Sequence, residues 1–266
     1  KPFAKVAIDG IRKEIEAAGY ELALLEKSTE KQQLLDAVKD ANAVIIRSDI
    51  IDKEVLDAAK ELKIVVRAGA GYDNVDLAAA TAHNVCVMNT PGQNSNAVAE
   101  LALGMMVYAV RNFYNGTSGT ELMGKKLGIH AYGNVGRNVA RVAKGFGMEV
   151  YAYDAFCPKE VIEKDGVKAL DSAEELYKTC QVVSLHIPAT AETKNSINYA
   201  LLKDMPKGAM LVNTARKEVI NEAELIKLME DRADFKYITD IMPAANAEFV
   251  EKFAGRYFST PKKMGA

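Results

Sequence analysis

The sequence predicts an α/β protein made of two doubly wound parallel-sheet domains. Three observations carry this. Short apolar runs alternate with helical patterns along nearly the whole chain, the order that builds a parallel sheet covered on both faces. One strand–helix–strand unit, Lys125 to Asp154, holds a glycine-rich turn at the place where open sheets of this kind bind ligands. The length of 266 residues suits two domains, each able to bury its own core.

The elements follow in order. The chain opens on Lys1-Pro2 and goes straight into an amphipathic helix ending near Gly19, so the first domain is expected to lack its opening strand. Strand Glu21 to Leu25, helix Lys31 to Val38, strand Ala43 to Ile46, helix Lys53 to Ala58 and strand Lys63 to Arg67 come next. RAGAGYDNVD, Arg67 to Asp76, leads to a short helix and strand Val85 to Met88. A Pro-Gly turn and a long helix from Ser95 mark the first crossing between domains, Asn89 to Glu100. The second half then runs through helix Ser172 to Thr179, strand Val182 to Leu185, helix Ala200 to Met205, strand Ala209 to Asn213, helix Glu222 to Asp231 and strand Tyr237 to Asp240.

The unit from Lys125 to Asp154 organises the rest. Lys126 to His130 reads as a strand, Val135, Val139, Val142, Ala143 and Phe146 recur at helical spacing, and Glu149 to Tyr153 forms a second strand. The turn AYGNVG is a dinucleotide fingerprint with Ala131 in place of its first glycine. Gly133 lets backbone approach a pyrophosphate, Gly136 lets helix and strand pack closely, and the N–H groups of Asn134 and Val135 point toward an anion. Asp154, ending the second strand, can accept from ribose hydroxyls and would repel a 2′-phosphate. NAD, not NADP, is therefore the expected cofactor.

Polar groups gather at the other strand ends. His186 and Pro188 follow one strand, Thr214, Ala215 and Arg216 the next, and Asp240 closes the last; such ends form one rim. Arg216 is the candidate for a substrate carboxylate, which guanidinium binds through two parallel hydrogen bonds. Gly69 and Gly71 follow another strand, where bare backbone N–H groups can hold a carboxylate.

Composition excludes several classes. Hydrophobic residues make up 49% and charged residues 26%, which argues against disorder, and a net charge of −2 gives no general attraction to nucleic acid or membrane. Cys86, Cys157 and Cys180 are scattered without metal-ligand spacing, fitting free thiols in a reducing cytoplasm and no metal site. The longest apolar stretch, Ala97 to Val110, carries Glu100 and is short for a membrane span. The opening residues are not expected to be a signal peptide.

With these motifs in order, the chain resembles the D-2-hydroxyacid dehydrogenase family, and within it the members that act on phosphoglycerate. The likeness rests on RAGAGYDNVD, NTPGQNSNAVAE, the fingerprint with Asp154, SLHIPATAET from Ser184, LVNTAR ending at Arg216, and the terminal TPKKMGA. It implies a flavodoxin-like substrate domain over residues 1–90, continued at 259–266, and a Rossmann NAD-binding domain over 91–258, in a chain trimmed at both ends. It implies that Arg216 holds the substrate carboxylate and polarises the C2 oxygen, with Ala70 and Gly71 as backbone donors to that carboxylate. Asn134, Val135, Asp154, His186, Pro188, Thr214 and Asp240 match cofactor contacts, and Arg47, Ser48 and Asn94 match phosphate contacts. A homodimer is implied as well.

Two departures stand out. The family carries its catalytic histidine in a Thr-Pro-His-x-Gly stretch, whereas Thr260-Pro261 is followed here by Lys262 and Lys263. The glutamate that partners that histidine is replaced by Ala245, with Glu248 and Glu251 nearby. Both losses are consistent with one change, because a lysine needs no carboxylate to raise its pKa; it must be pulled down from about 10.4 by burial or nearby cations. Lys262 or Lys263 is thus expected to transfer the proton while hydride moves between nicotinamide and a small phosphorylated hydroxyacid, in a cleft between the domains. The competing readings are a reductase of glyoxylate, hydroxypyruvate or another short 2-keto acid, and an NAD(H)-binding sensor without catalysis.

Overall fold

The structure, a computed structural model, describes residues 3–26 and 28–261. The chain divides into two compact units, Lys1–Gln93 and Asn94–Ala266. The boundary falls three residues beyond the one expected from the sequence.

The first unit runs α1 (Lys5–Ala17), α2 (Lys31–Ala37), β1 (Ala43–Ile46), α3 (Lys53–Ala58), β2 (Ile64–Arg67), α4 (Leu77–Ala82) and β3 (Cys86–Asn89). Its three strands are parallel in the order β1-β2-β3. Asp52 and Asp76 cap α3 and α4, accepting from Val55 N at 3.1 Å and Ala79 N at 2.9 Å, which satisfies first-turn donors that have no intrahelical partner. Ile46, Ile51, Val55, Leu56 and Val65 form the centre of the core.

One expected strand is absent. Glu21 to Leu25 joins no sheet, and Leu24 and Leu25 are exposed. Its apolar pattern has no neighbouring strand among the described residues to take up its backbone groups, and pairing, more than pattern, makes a strand. The described sheet of this unit is accordingly wound in one direction. The amphipathic α1 forms as expected but buries none of its residues.

The second unit runs α5 (Ser95–Val110), β4 (Lys126–His130), α6 (Asn134–Gly145), β5 (Glu149–Tyr153), α7 (Lys159–Lys164), β6 (Lys168–Ala169), α8 (Ala173–Thr179), β7 (Val182–Leu185), α9 (Tyr199–Leu202), β8 (Met210–Asn213), α10 (Glu222–Asp231), β9 (Lys236–Thr239), α11 (Asn246–Lys252) and β10 (Tyr257–Ser259). Seven parallel strands lie in the order β10-β9-β8-β7-β4-β5-β6. This is the doubly wound arrangement, and its direction reverses between β4 and β7, where the crevice for a ligand opens.

Both faces of this sheet are covered. Leu127, Ile129, Val150, Val182, Met210, Val212 and Ile238 point to one face, where α5 and α6 pack through Ala102, Met106, Val139 and Ala143. Leu176, Val183, Leu185, Leu211, Leu225, Leu228 and Tyr237 fill the other. α5 is apolar almost all round because it buries residues from Ser95 to Val110, and Glu100 lies on its exposed side. Among the described residues no helix is long and apolar enough to cross a membrane.

The chain end departs from expectation. Residues 259–266 were assigned to the first domain, yet Ser259 pairs with Thr239 in β10 and the Thr260 N–H donates to the Thr239 carbonyl at 3.1 Å. Ser259 extends the second sheet because Tyr257 and Phe258 pack under it, Tyr257 stacked on Phe249 and Phe258 edge-on to Tyr108. Lys262 to Ala266 lie outside the described residues.

Candidate active site

The fingerprint turn joins β4 to α6. Ala131, where the first glycine was expected, adopts φ +80°, a conformation that costs an L-residue about 1–2 kcal/mol. The substitution therefore carries backbone strain and does more than narrow the freedom of the turn. Gly136 has a steric reason: a Cβ there would lie 2.4 Å from the Ala131 carbonyl oxygen and 3.0 Å from Ile129 Cγ2. Gly133 has a different one, since the direction of its missing Cβ is open space. Beside that space the N–H groups of Asn134 and Val135 open α6 with no acceptor among the described residues, the arrangement that receives an anion.

Asp154, expected at a ribose, is held by backbone donors. Its Oδ2 accepts the Tyr132 N–H at 2.6 Å, and its Oδ1 accepts from Phe156 N at 2.7 Å and Cys157 N at 2.9 Å. A carboxylate offers about four acceptor positions. One backbone donor thus ties the end of β5 to the fingerprint turn, two more close the turn after β5, and one direction is left for a hydroxyl.

At β7 the His186 N–H donates to the His130 carbonyl at 2.9 Å, and His186 Nε2 lies 3.0 Å from Ser184 Oγ. His130 Nδ1 lies 3.1 Å from the buried Tyr177 hydroxyl. Burial pushes the pKa of His130 down to about 4 and that of His186 down to about 3, the latter helped by His130. Both imidazoles are neutral at physiological pH. Pro188 follows on the exposed rim.

The end of β8 is the most constrained part of the site. Asn213 is fully buried; its Nδ2 donates to the Arg216 carbonyl at 3.0 Å and its Oδ1 accepts the Ala215 N–H at 2.9 Å. Thr239 Oγ1 donates to the Asn213 carbonyl at 2.9 Å and accepts the Ile241 N–H at 3.0 Å. These bonds fix the loop that carries Thr214, Ala215 and Arg216. Arg216 has extended backbone, φ −143° and ψ 143°, and its Nη1 donates to the Ala215 carbonyl at 2.9 Å. The buried Thr214 Oγ1 has no hydrogen-bond partner among the described residues, an omission that costs about 1–3 kcal/mol unless a ligand supplies one. Asp240 is buried, its N–H donating to the Asn213 carbonyl at 3.2 Å.

Sequence reasoning did not assign Asn213 or Thr239 a role. The available signal was a buried polar residue ending an apolar strand, LVN and YIT. Glu222 was also missed: its two oxygens accept the N–H groups of Ala244 at 2.9 Å and Ala245 at 2.7 Å. Ala245, expected at the position of the family glutamate, is thus held through its backbone by a carboxylate from α10. Glu248 is committed elsewhere, paired with Lys252 at 2.7 Å on α11, and Glu251 is exposed.

In the first unit, Arg47 and Ser48 follow β1 and are exposed, with the Arg47 guanidinium 6.0 Å from the Phe3 ring centre. After β2, Gly69 takes φ +151°, and a Cβ there would fall on the Arg67 guanidinium. The Thr90 N–H donates to the Gly69 carbonyl at 3.0 Å and Asn89 Nδ2 to the Ala70 carbonyl at 2.7 Å. The N–H groups of Ala70 and Gly71 meet no acceptor among the described residues. Asn94, grouped with Arg47 from the sequence, begins the second unit as the residue before α5. The cysteines are free thiols, and the described residues contain no cluster of His, Cys, Asp and Glu placed to hold a metal. Lys262 and Lys263 lie outside the described residues.

Comparison with known proteins agrees with this geometry. Residues 95–254 match the model of the D-isomer specific 2-hydroxyacid dehydrogenase family, NAD binding domain. The chain is 37% identical over 215 residues to a D-3-phosphoglycerate dehydrogenase of Methanocaldococcus jannaschii, covering 76% of this chain and 41% of that one. It is 34% identical to a hydroxypyruvate reductase of Thermotoga maritima, over 77% of this chain and 70% of that one. A crystal structure of NAD+-bound 3-phosphoglycerate dehydrogenase in Entamoeba histolytica superimposes with a TM-score of 0.93 at 47% identity, covering 100% of this chain and 85% of that one. The chain spans under half the length of several of the phosphoglycerate dehydrogenases it matches. The open cradle at Gly133, the unpaired Thr214 hydroxyl and the remaining acceptor of Asp154 fit NAD, and the chain belongs to the D-isomer specific 2-hydroxyacid dehydrogenase family.

Proposed function

We propose that this protein is an NAD-dependent dehydrogenase of a small 2-hydroxy acid, with 3-phosphoglycerate and 3-phosphohydroxypyruvate as its substrate pair. The observation that carries the reading is Arg216, held by the Asn213 clamp beside the loop of the orphan Thr214 hydroxyl. A guanidinium on the same rim as a dinucleotide cradle suits a carboxylate whose neighbouring carbon exchanges hydride.

In this reading NAD, when bound, accepts or supplies the hydride. The N–H groups of Asn134 and Val135 would hold the pyrophosphate, Asp154 would accept from a ribose hydroxyl, and the Thr214 hydroxyl would donate a hydrogen bond to the cofactor. Arg216 binds the substrate carboxylate and polarises the C2 oxygen, while the Ala70 and Gly71 N–H groups are donors of the same kind. Arg47, Ser48 and Asn94 serve the substrate phosphate. Lys262 or Lys263 moves the hydroxyl proton in place of the family histidine. A homodimer in the cytoplasm belongs to the same reading.

The test is NADH oxidation by the full-length protein with 3-phosphohydroxypyruvate, hydroxypyruvate and glyoxylate, from neutral to alkaline pH. Turnover fastest with the phosphorylated acid, and a KM for that acid alone raised at least tenfold by Arg47→Ala, is the expected result. Equal effects of Arg47→Ala on all three acids would remove the phosphate assignment. Unchanged turnover in both Lys262→Ala and Lys263→Ala would remove lysine from the proton transfer.

A further inference from the structure

A second concave site lies on the flank of α6. It is a recess of about 370 Å³ lined by Tyr132, Arg137, Asn138, Arg141, Lys144 and Asp165. Residues 137, 138, 141 and 144 fall on one side of the helix by its 100° step, next to the stripe of Val139, Ala140 and Ala143 that packs on the sheet. The first turn of α5 borders it through Asn96, which accepts from Arg141, and the turn after α7 contributes Asp165.

The charges in this recess do not balance. Arg141 donates to two neutral amide oxygens, Asn96 Oδ1 at 2.5 Å and Asn138 Oδ1 at 3.3 Å. Lys144 Nζ donates to the Asp165 backbone carbonyl, again a neutral acceptor. Arg137 is the cation that has a carboxylate, Asp165 at 4.0 Å, and it lies over the Tyr132 ring at 5.7 Å. Asp165 is shared further, accepting the Tyr132 hydroxyl at 3.2 Å. Among the described residues, three cations thus face one carboxylate, in a protein whose overall net charge is −2.

The polar contacts hold the cations in place. Asn96 and Asn138 orient Arg141, Tyr132 orients Arg137, and the end of α7 anchors Lys144. Positioned donors of uncompensated charge are what a phosphate group requires, since guanidinium binds its oxygens in pairs and ammonium adds point charge. The recess is separate from the dinucleotide cradle: the cradle uses backbone N–H groups at the start of α6, whereas the recess uses side chains along its flank.

We propose that this recess binds a multiply charged phosphate anion, a polyphosphate or a compact phosphorylated metabolite, between Arg137, Arg141 and Lys144 at a site distinct from that of the dinucleotide. It is placed to report a phosphorylated metabolite on the helix that also carries the fingerprint.

Inorganic pyrophosphate is the probe. Its binding to the full-length protein is measured by titration calorimetry with NADH absent and at saturation, against sodium chloride of equal ionic strength. The expected result is pyrophosphate binding that persists in saturating NADH and weakens at least tenfold in Arg141→Ala/Lys144→Ala, while the NADH Kd of that variant stays within twofold. Asp165→Asn, which removes the one carboxylate, should tighten pyrophosphate severalfold. Loss of pyrophosphate binding in saturating NADH would place the anion at the fingerprint and overturn the proposal. So would affinity unchanged in the double variant, or a response matched by chloride.

Discussion

Asn213 and Arg216 are tied by a hydrogen bond of 3.0 Å, from the buried side-chain amide of one to the backbone carbonyl of the other. The same amide accepts the Ala215 N–H, so one side chain satisfies both directions of a loop that would otherwise carry buried, unpaired backbone groups. Replacing Asn213 with Ala should cost about 2–4 kcal/mol, because it leaves the Ala215 donor and the Arg216 acceptor unsatisfied. Urea unfolding checks the stability. A loss below about 0.5 kcal/mol would mean that the loop holds itself.

Arg216→Lys keeps a charge and loses the paired geometry. The expected outcome is a fall in kcat/KM of about a hundredfold, near 3 kcal/mol, with the NADH Kd within twofold. Steady-state kinetics together with fluorescence titration of NADH separate the two effects. Equal loss of both would assign the residue to the cofactor.

The two glycine positions of the fingerprint predict opposite signs. Gly136→Ala drives a Cβ to 2.4 Å from the Ala131 oxygen and should destabilise the protein by more than about 2 kcal/mol. Ala131→Gly relieves a residue at φ +80°. It should leave stability unchanged or raise it by up to about 1 kcal/mol, as relief of strain exceeds the added freedom of the unfolded chain. Thermal unfolding of the two variants beside the parent gives both signs in one experiment.

His130 and His186 set a pH dependence. Their folded values, about 4 and about 3, lie below the ordinary value of 6.5 because burial disfavours the cation. Below pH 6.5 the unfolded chain binds protons that the folded one refuses, so this stability is complete above that pH. It declines as pH falls from 6.5 toward the folded values, by several kcal/mol in sum, order of magnitude. Urea unfolding from pH 8 to pH 4 checks it, and His130→Gln should flatten the slope. A slope identical in that variant would assign the acid loss to carboxylates.

Much of this site was legible because its chemistry is local. The fingerprint, Asp154 and Arg216 each follow a strand whose limits could be read from a run of apolar residues, and four strands begin and end as the sequence implied. Less legible was everything that depends on a partner distant along the chain. Glu21 to Leu25 has the composition of a strand but no neighbour, and residues 259 and 260 join the second sheet because β9 offers an edge. Glu222 reaches Ala244 and Ala245 from another element. The Asp154 carboxylate was read as a ribose acceptor, whereas three of its acceptor directions are taken by backbone, which spacing along a strand cannot reveal.

The strand order has a consequence for assembly. The cradle follows β4, Asp154 follows β5, and His186, Thr214 and Asp240 follow β7, β8 and β9, so the rim draws on strands from both windings of one sheet. Neither winding gathers these groups alone, so a dinucleotide that used all of them would tie the two halves together. Its binding free energy then adds to the folded state as a whole, by RT ln(1 + [L]/Kd), and opposes opening of the sheet at the reversal between β4 and β7. Limited proteolysis with and without NADH checks this: cleavage of the folded chain is expected to slow when the cofactor is bound.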